Sequence, residues 1–166
     1  SMDFAQEHTG SYYAATVNEV TDYPRLKEDI RVDVCVVGGG FTGISTALSL
    51  AERSYKVCVL EANRIGWGAS GRNGGQMIGG LSGTARLEKK TPAHADMIWD
   101  MGWRGHEIIR DRVERYDIDC DLKHGYVDVA LKERHLRDFE AANEELARRN
   151  YPFEHRMMSR DETSDA

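Results

Sequence analysis

The stretch Val32–Leu50 reads VDVCVVGGGFTGISTALSL and constrains the fold more than any other part of the chain. A short, β-branched, almost wholly apolar run is ended by glycine, and a helical pattern starts immediately afterwards. Val32–Val37 predicts a strand buried on both faces. Ile44, Ala47, Leu48 and Ala51 recur at helical spacing, and ERSYK closes that helix with basic residues in its last turn. KVCVLE, Lys56–Glu61, predicts a second buried strand. Strand, helix and strand in about 30 residues make a βαβ unit, with parallel strands and a right-handed crossover.

The glycines at the strand–helix junction carry chemistry. Gly38, Gly40 and Gly43 fit GxGxxG in the context that gives the pattern meaning, after a strand and opening a helix. Gly38 makes the tight turn, Gly40 lets a pyrophosphate reach backbone amides, and Gly43 lets helix and strand pack closely. The helix start then offers unpaired N–H groups and partial positive charge to the phosphates. Glu61 ends the second strand, about 20 residues further on, where an acid hydrogen-bonds a ribose hydroxyl pair. A carboxylate there repels a 2′-phosphate, which disfavours NADP. The fold class is therefore α/β, a Rossmann-like FAD/NAD(P)-binding βαβ unit with parallel strands, and this half leaves NAD and FAD both open.

The next segment, Asn63–Gly83, is NRIGWGASGRNGGQMIGGLSG, in which eight residues are glycine. Trp67, Arg72, Asn73, Gln76 and Met77 are not flexible-linker residues, and a long ordered loop in a compact domain is usually functional. Taken with the βαβ unit, DVCVVGGGFTGISTALSLAERSYKVCVLEANRIGWGASGRNGGQ resembles the amino-terminal segment of FAD-dependent amine and amino-acid oxidoreductases of the D-amino-acid oxidase superfamily. GWGASGRNGGQ and the upstream SYYAAT are most similar to the gamma-glutamylputrescine oxidase branch. The resemblance covers most of residues 11–150.

That resemblance implies FAD as the cofactor and an amine or amino acid as the small-molecule substrate. It implies that Gly38, Gly40 and Gly43 hold the pyrophosphate, with Phe41 and Thr42 giving helix-start amides. Glu61 would bind the adenosine ribose, with Ala62 and Asn63 beside it. Ala69, Ser70, Arg72 and Asn73 would line the middle of the cofactor, and Gly74, Gly75 and Gln76 would approach the isoalloxazine. In such enzymes a hydride passes from the carbon beside nitrogen to flavin N5, and water hydrolyses the resulting imine. No catalytic acid or base is assigned, and His124, beside GYV, is read as structural or exposed. No histidine lies between His8 and His94, so covalent attachment of flavin from this loop is not expected. The reading of a different class is a non-catalytic module binding NAD or ADP; flavin colour separates the two.

Beyond the loop, Thr91 is expected to cap a helix from Pro92 to about Tyr116, with Pro92 at its first position. Ile98, Met101, Gly105, Ile108, Ile109, Val113 and Tyr116 form its stripe, and Trp99 and Trp103 stand on a neighbouring face. Gly125–Lys132, GYVDVALK, predicts a strand, and Glu133–Arg149 a second amphipathic helix. The polar ending RDETSDA predicts no closing element. The division expected is an arm over 1–31, a partial FAD-binding domain over 32–121 and the start of a substrate domain over 122–166, so the chain reads as an amino-terminal part. Two strands alone are marginal, and their open edges invite self-association or contact with the rest of the polypeptide.

Composition excludes several classes. The net charge of −6 is spread along the chain, against nucleic acid as a partner. No apolar run approaches the roughly 20 residues of a membrane span. Three cysteines without CxxC spacing give neither a disulfide framework nor a metal site; Cys35 and Cys58 are expected as small buried hydrophobes. A cytoplasmic location is expected, and Ser1 is read as a leftover residue before the start methionine.

Overall fold

The computed structural model describes residues 7, 8, 10–80 and 83–165. Ser1 and, in the glycine-rich segment, Leu81 and Ser82 lie outside the described residues. The chain divides into two compact units, Ser1–Cys120 and Asp121–Ala166.

In the first unit, a single helical turn α1 (Tyr12–Ala15) is capped by the Ser11 hydroxyl, which accepts from the Ala14 N–H. β1 (Val34–Val37), α2 (Phe41–Ala51) and β2 (Val57–Leu60) follow. The strands are parallel, with Val34 opposite Val57 and Val37 opposite Leu60. Both are shorter than the apolar runs that predict them. Asp33 sets the start of the ladder: its carboxylate accepts from the Lys56 N–H at 2.8 Å, and its own N–H donates to the Lys56 carbonyl at 2.9 Å. α2 ends as Ser54 adopts the left-handed region (φ 67°) and the Tyr55 N–H returns to the Leu50 carbonyl.

Only one face of the sheet is covered. Val36 points at α2, close to Gly43, whereas Val37 is 84% exposed. By strand alternation and the observed register, Cys35, Val37, Cys58 and Leu60 share the open face. The expectation of strands buried on both faces is therefore corrected, and with it the expectation for the cysteines: Cys35 is exposed and Cys58 half-buried. Among the described residues no apolar side chain is fully buried. A single crossover helix covers one side of the sheet; on the other side Cys35, Cys58 and Leu60 line an open pocket with Leu26, Ile30 and Val32 of the preceding chain.

After the glycine-rich segment comes α3 (Thr84–Lys90), which the sequence reading lacks. A 3₁₀ turn, Pro92–His94, leads into the 21-residue α4 (Ala95–Arg115). Thr91 does not cap that helix as expected. Its hydroxyl donates to the Leu87 carbonyl at 2.8 Å and so serves the end of α3. α4 is tied to α2 by polar groups. Arg112 donates to Ser45 (3.1 Å), Ser49 (2.8 Å) and Glu52 (3.1 Å), and the Tyr116 hydroxyl donates to Glu52 at 3.0 Å. The Arg112 hydrogen bond, ahead of those from Tyr116 and the charge of Arg115, holds the Glu52 carboxyl below its ordinary range. The chain before β1 is fastened to the same unit: Trp67 Nε1 donates to the Glu7 carbonyl at 2.8 Å and Arg64 to that of Thr21 at 3.0 Å.

In the second unit, Gly125–Lys132 forms no strand, contrary to expectation. Its alternation is real, but a strand needs a partner to bond with; here Tyr126, Val127, Val129 and Leu131 are exposed instead. α5 (Glu133–Arg148) follows, and the chain after it turns back so that His155 Nδ1 lies 2.7 Å from Asn143 Oδ1. The polar ending does carry a closing element. α6 (Arg160–Ser164) starts with a capping box, in which Ser159 accepts from the Glu162 N–H and Glu162 accepts from the Ser159 N–H.

Candidate functional site

The chain bares its backbone where β1 hands over to α2. Gly38 sits at φ 101°, a conformation that side chains rarely adopt. Gly40 is the N-cap of α2 and has no side chain to cap it. The cap comes from elsewhere in the sequence: the Ser70 hydroxyl accepts from the Phe41 N–H at 3.0 Å. Ser70 belongs to a 3₁₀ turn, Ala69–Gly71, that the glycine-rich segment lays over the helix start. A hydroxyl that accepts from an amide still has its own proton to give. The helix start therefore presents a polarised O–H donor beside its remaining unpaired amides, a concentration of donors suited to an anion.

Glu61, leaving β2, folds its carboxylate onto the same turn. One oxygen accepts from the Gly39 N–H at 2.6 Å and the other from the Asn63 N–H at 2.9 Å. These bonds, that from Asn63 first, with lesser contributions from the Gly39 and Ala62 amides, lower the carboxyl below its ordinary range against the opposing effect of burial. A carboxylate has about four acceptor positions, so acceptor capacity remains on Glu61 beyond these amides. Sequence reasoning placed Glu61 at the end of β2 but missed this second task of pinning the glycine turn. The sign of the pH dependence follows. A carboxyl lowered in the folded state stabilises it above the ordinary glutamate value of about 4.3 and loses that contribution as pH falls through the folded value. Glu61→Gln is expected to flatten the acid limb of stability, measured as the urea midpoint against pH; an unchanged acid limb would contradict the geometry.

The glycine-rich segment holds itself in shape. The Gly66 N–H donates to the Gly39 carbonyl at 2.9 Å, joining the loop to the turn. A Cβ on Gly71 would stand 2.1 Å from the Gly66 carbonyl oxygen, so the loop closes on its own backbone there. Asn73 donates to the Ser70 carbonyl at 2.8 Å and accepts from the Gly75 N–H at 2.9 Å. Arg72 donates to the Gly68 carbonyl at 3.2 Å with its guanidinium 5.6 Å from the Trp67 ring centroid. Arg72 and Asn73, which the resemblance places along a cofactor, thus also shape the loop. Ala62, Ala69, Gly74, Gly75 and Gln76 are exposed, as are Phe41 and Thr42 at the start of α2. Ser70, Glu61, Asn63 and the three motif glycines come together; His124 is exposed in the second unit. Among the described residues no cluster of His, Cys, Asp and Glu could hold a metal ion, and no helix is long and apolar enough to cross a membrane.

A parallel βαβ unit with a bare glycine turn at the helix start and an acid at the end of its second strand is a dinucleotide-binding unit of the Rossmann class. Residues 33–166 match the family described as FAD dependent oxidoreductase, and the chain belongs to that family, whose cofactor is FAD. It is 48% identical over 144 residues to gamma-glutamylputrescine oxidoreductase of Escherichia coli, an alignment covering 86% of this chain and 34% of that protein. It is 45% identical over 140 residues to the probable oxidoreductase OrdL of Haemophilus influenzae, covering 82% of this chain and 32% of that protein. To the probable oxidoreductase OrdL of Rhizobium meliloti it is 32% identical over 156 residues, covering 92% and 36%. The chain thus spans about a third of the length of these relatives. No solved structure matches it.

Proposed function

We propose that the protein to which this chain belongs is a flavoenzyme oxidising a C–N bond of an amine or amino acid, with a gamma-glutamylputrescine-like substrate. The arrangement at the start of α2 carries the reading. Ser70 stands over the first helical amide, Gly40 leaves the approach open, and Glu61 lies alongside with acceptor capacity to spare. These groups fit the pyrophosphate and adenosine ribose of FAD. Gly38, Gly40, Phe41, Thr42, Gly43 and Ser70 would hold the phosphates. Glu61, Ala62 and Asn63 would hold the ribose. Ala69, Arg72, Asn73, Gly74, Gly75 and Gln76 would shape the path toward the flavin. Residues 32–121 would serve as the cofactor part and 122–166 as the start of a substrate part. When bound, the flavin supplies a two-electron acceptor for the hydride on the carbon beside nitrogen, and water hydrolyses the imine so formed. The identity to gamma-glutamylputrescine oxidoreductase supports the substrate class.

The test separates the two halves of the cofactor. Glu61→Ala is expected to weaken FAD and ADP alike, by roughly 1.5–3 kcal/mol for hydrogen bonds to a charged group. FMN lacks the adenosine ribose and should be indifferent. Binding is followed by flavin fluorescence and, for ADP, by competition. A protein that stays colourless with FAD yet binds ADP or NAD would instead be a non-catalytic nucleotide module. Under anaerobic conditions, bleaching of the bound flavin by gamma-glutamylputrescine, but not by putrescine, would support the substrate.

A further inference from the structure

The glycine-rich segment is anchored at its incoming end to the turn and helix start, through Gly66 and Ser70. Its outgoing end is gripped by a different element. Gly79 packs against the edge of the Trp103 ring of α4: a Cβ there would stand 2.2 Å from Cη2 and 2.9 Å from Cζ3. Trp103 is itself set between two neighbours on α4. Trp99 meets it edge-on with centroids 5.6 Å apart, and the His106 ring lies 5.3 Å away. His106 Nε2 reaches the Ile78 carbonyl at 3.2 Å. A carbonyl only accepts, so Nε2 is the nitrogen that carries the proton in this bond. Gly80 follows at φ 77°.

We propose that Trp103 and His106 are positioning residues: they fix the outgoing end of the glycine-rich segment and so set where Gly74–Gln76 sits. Between the two anchors, Gly71–Gln76 is exposed. With only the incoming end held, Gly74 and Gly75 would let it swing, since glycine loses the most conformational freedom on ordering. Held at both ends, it has a defined place. The consequence for the cofactor rests on the functional reading above, in which Gly74–Gln76 faces the flavin and Gly38–Gly43 with Glu61 faces the ADP half. The clamp should therefore matter for FAD and not for ADP.

The experiment compares His106→Ala, His106→Gln and Gly79→Val with the parent chain. His106→Ala removes the donor, His106→Gln keeps an amide donor of similar reach, and Gly79→Val forces the backbone off the Trp103 ring. In His106→Ala and Gly79→Val, FAD affinity is expected to fall about tenfold or more, about 1.4 kcal/mol, while ADP affinity stays within about twofold. The flavin absorbance bands should broaden, and amide hydrogen exchange over Gly74–Gly80 should quicken. His106→Gln should restore affinity and exchange toward the parent. Unchanged exchange over Gly74–Gly80 in His106→Ala would overturn the clamp. Equal losses of FAD and ADP would overturn its positioning role and point to general damage. A parent that binds ADP but no FAD would refute the functional reading instead, and the exchange comparison would then decide the clamp alone.

Discussion

Gly43→Ala is expected to dismantle the βαβ unit. A Cβ at this position would stand 1.9 Å from the Gly38 carbonyl oxygen and 3.0 Å from its carbon. Both are backbone atoms, so no side-chain rotation relieves the clash; α2 must lift from β1 or the turn must change shape. Alanine gains about 1 kcal/mol over glycine in helix propensity, which does not offset an overpacked backbone contact costing about 3 kcal/mol or more. Against a typical total of about 5–15 kcal/mol, that is a large fraction. Urea unfolding with FAD binding measured in parallel should show both falling together. A variant as stable as the parent would mean that the turn and helix are not packed as described.

Gly40→Val is expected to do the opposite: to leave the fold and remove the ligand. Gly40 has φ −89° and ψ −172°, extended backbone that valine adopts without strain. A Cβ there meets only Ser70, with Oγ at 2.9 Å and Cβ at 3.7 Å, and a serine side chain can rotate away. The cost to stability is then about 1 kcal/mol, one hydrogen bond. The valine methyls, however, would fill the approach to the helix-start amides and displace the Ser70 donor. Losing charge-assisted hydrogen bonds worth roughly 1.5–3 kcal/mol each predicts FAD and ADP affinities lower by about 100-fold or more. Calorimetric titration beside a urea curve separates this from Gly43→Ala; unchanged nucleotide affinity would remove the phosphate site from the helix start.

The βαβ unit was legible in the sequence because every local signal agreed. The β-branched runs, the glycines between strand and helix and the acid at Glu61 each point to the same unit. What went astray depended on partners that local pattern does not name. The alternation in Gly125–Lys132 specifies a face to bury but not the neighbour to pair with, and without that neighbour Tyr126, Val127, Val129 and Leu131 stay exposed. The valine and cysteine runs of β1 and β2 suited burial on two faces, yet one face lies open. α3, with the sequence TARLEKK, was hidden by its polarity and by the glycines before it. The capping box at Ser159 and Glu162 is legible in the sequence as S-x-x-E. At the site, residue identities were legible but partners were not. Glycines announced close approach, while the ring that Gly79 approaches stands 24 residues downstream at Trp103.

The hydrogen bond from the Phe41 N–H to Ser70 bears on how a nucleotide arrives. The loop supplies the helix start with a partner of its own, so the turn, the helix and the overlying 3₁₀ turn are held in register by bonds internal to the chain. A nucleotide bound there, as proposed, would exchange or share a hydrogen bond within a preformed cradle and need not order the Ala69–Gly71 turn as it proceeds. Association at such a site is governed by diffusion and electrostatic capture more than by a slow folding step. The ordering entropy that a floppy loop would subtract from affinity is already spent when the chain folds.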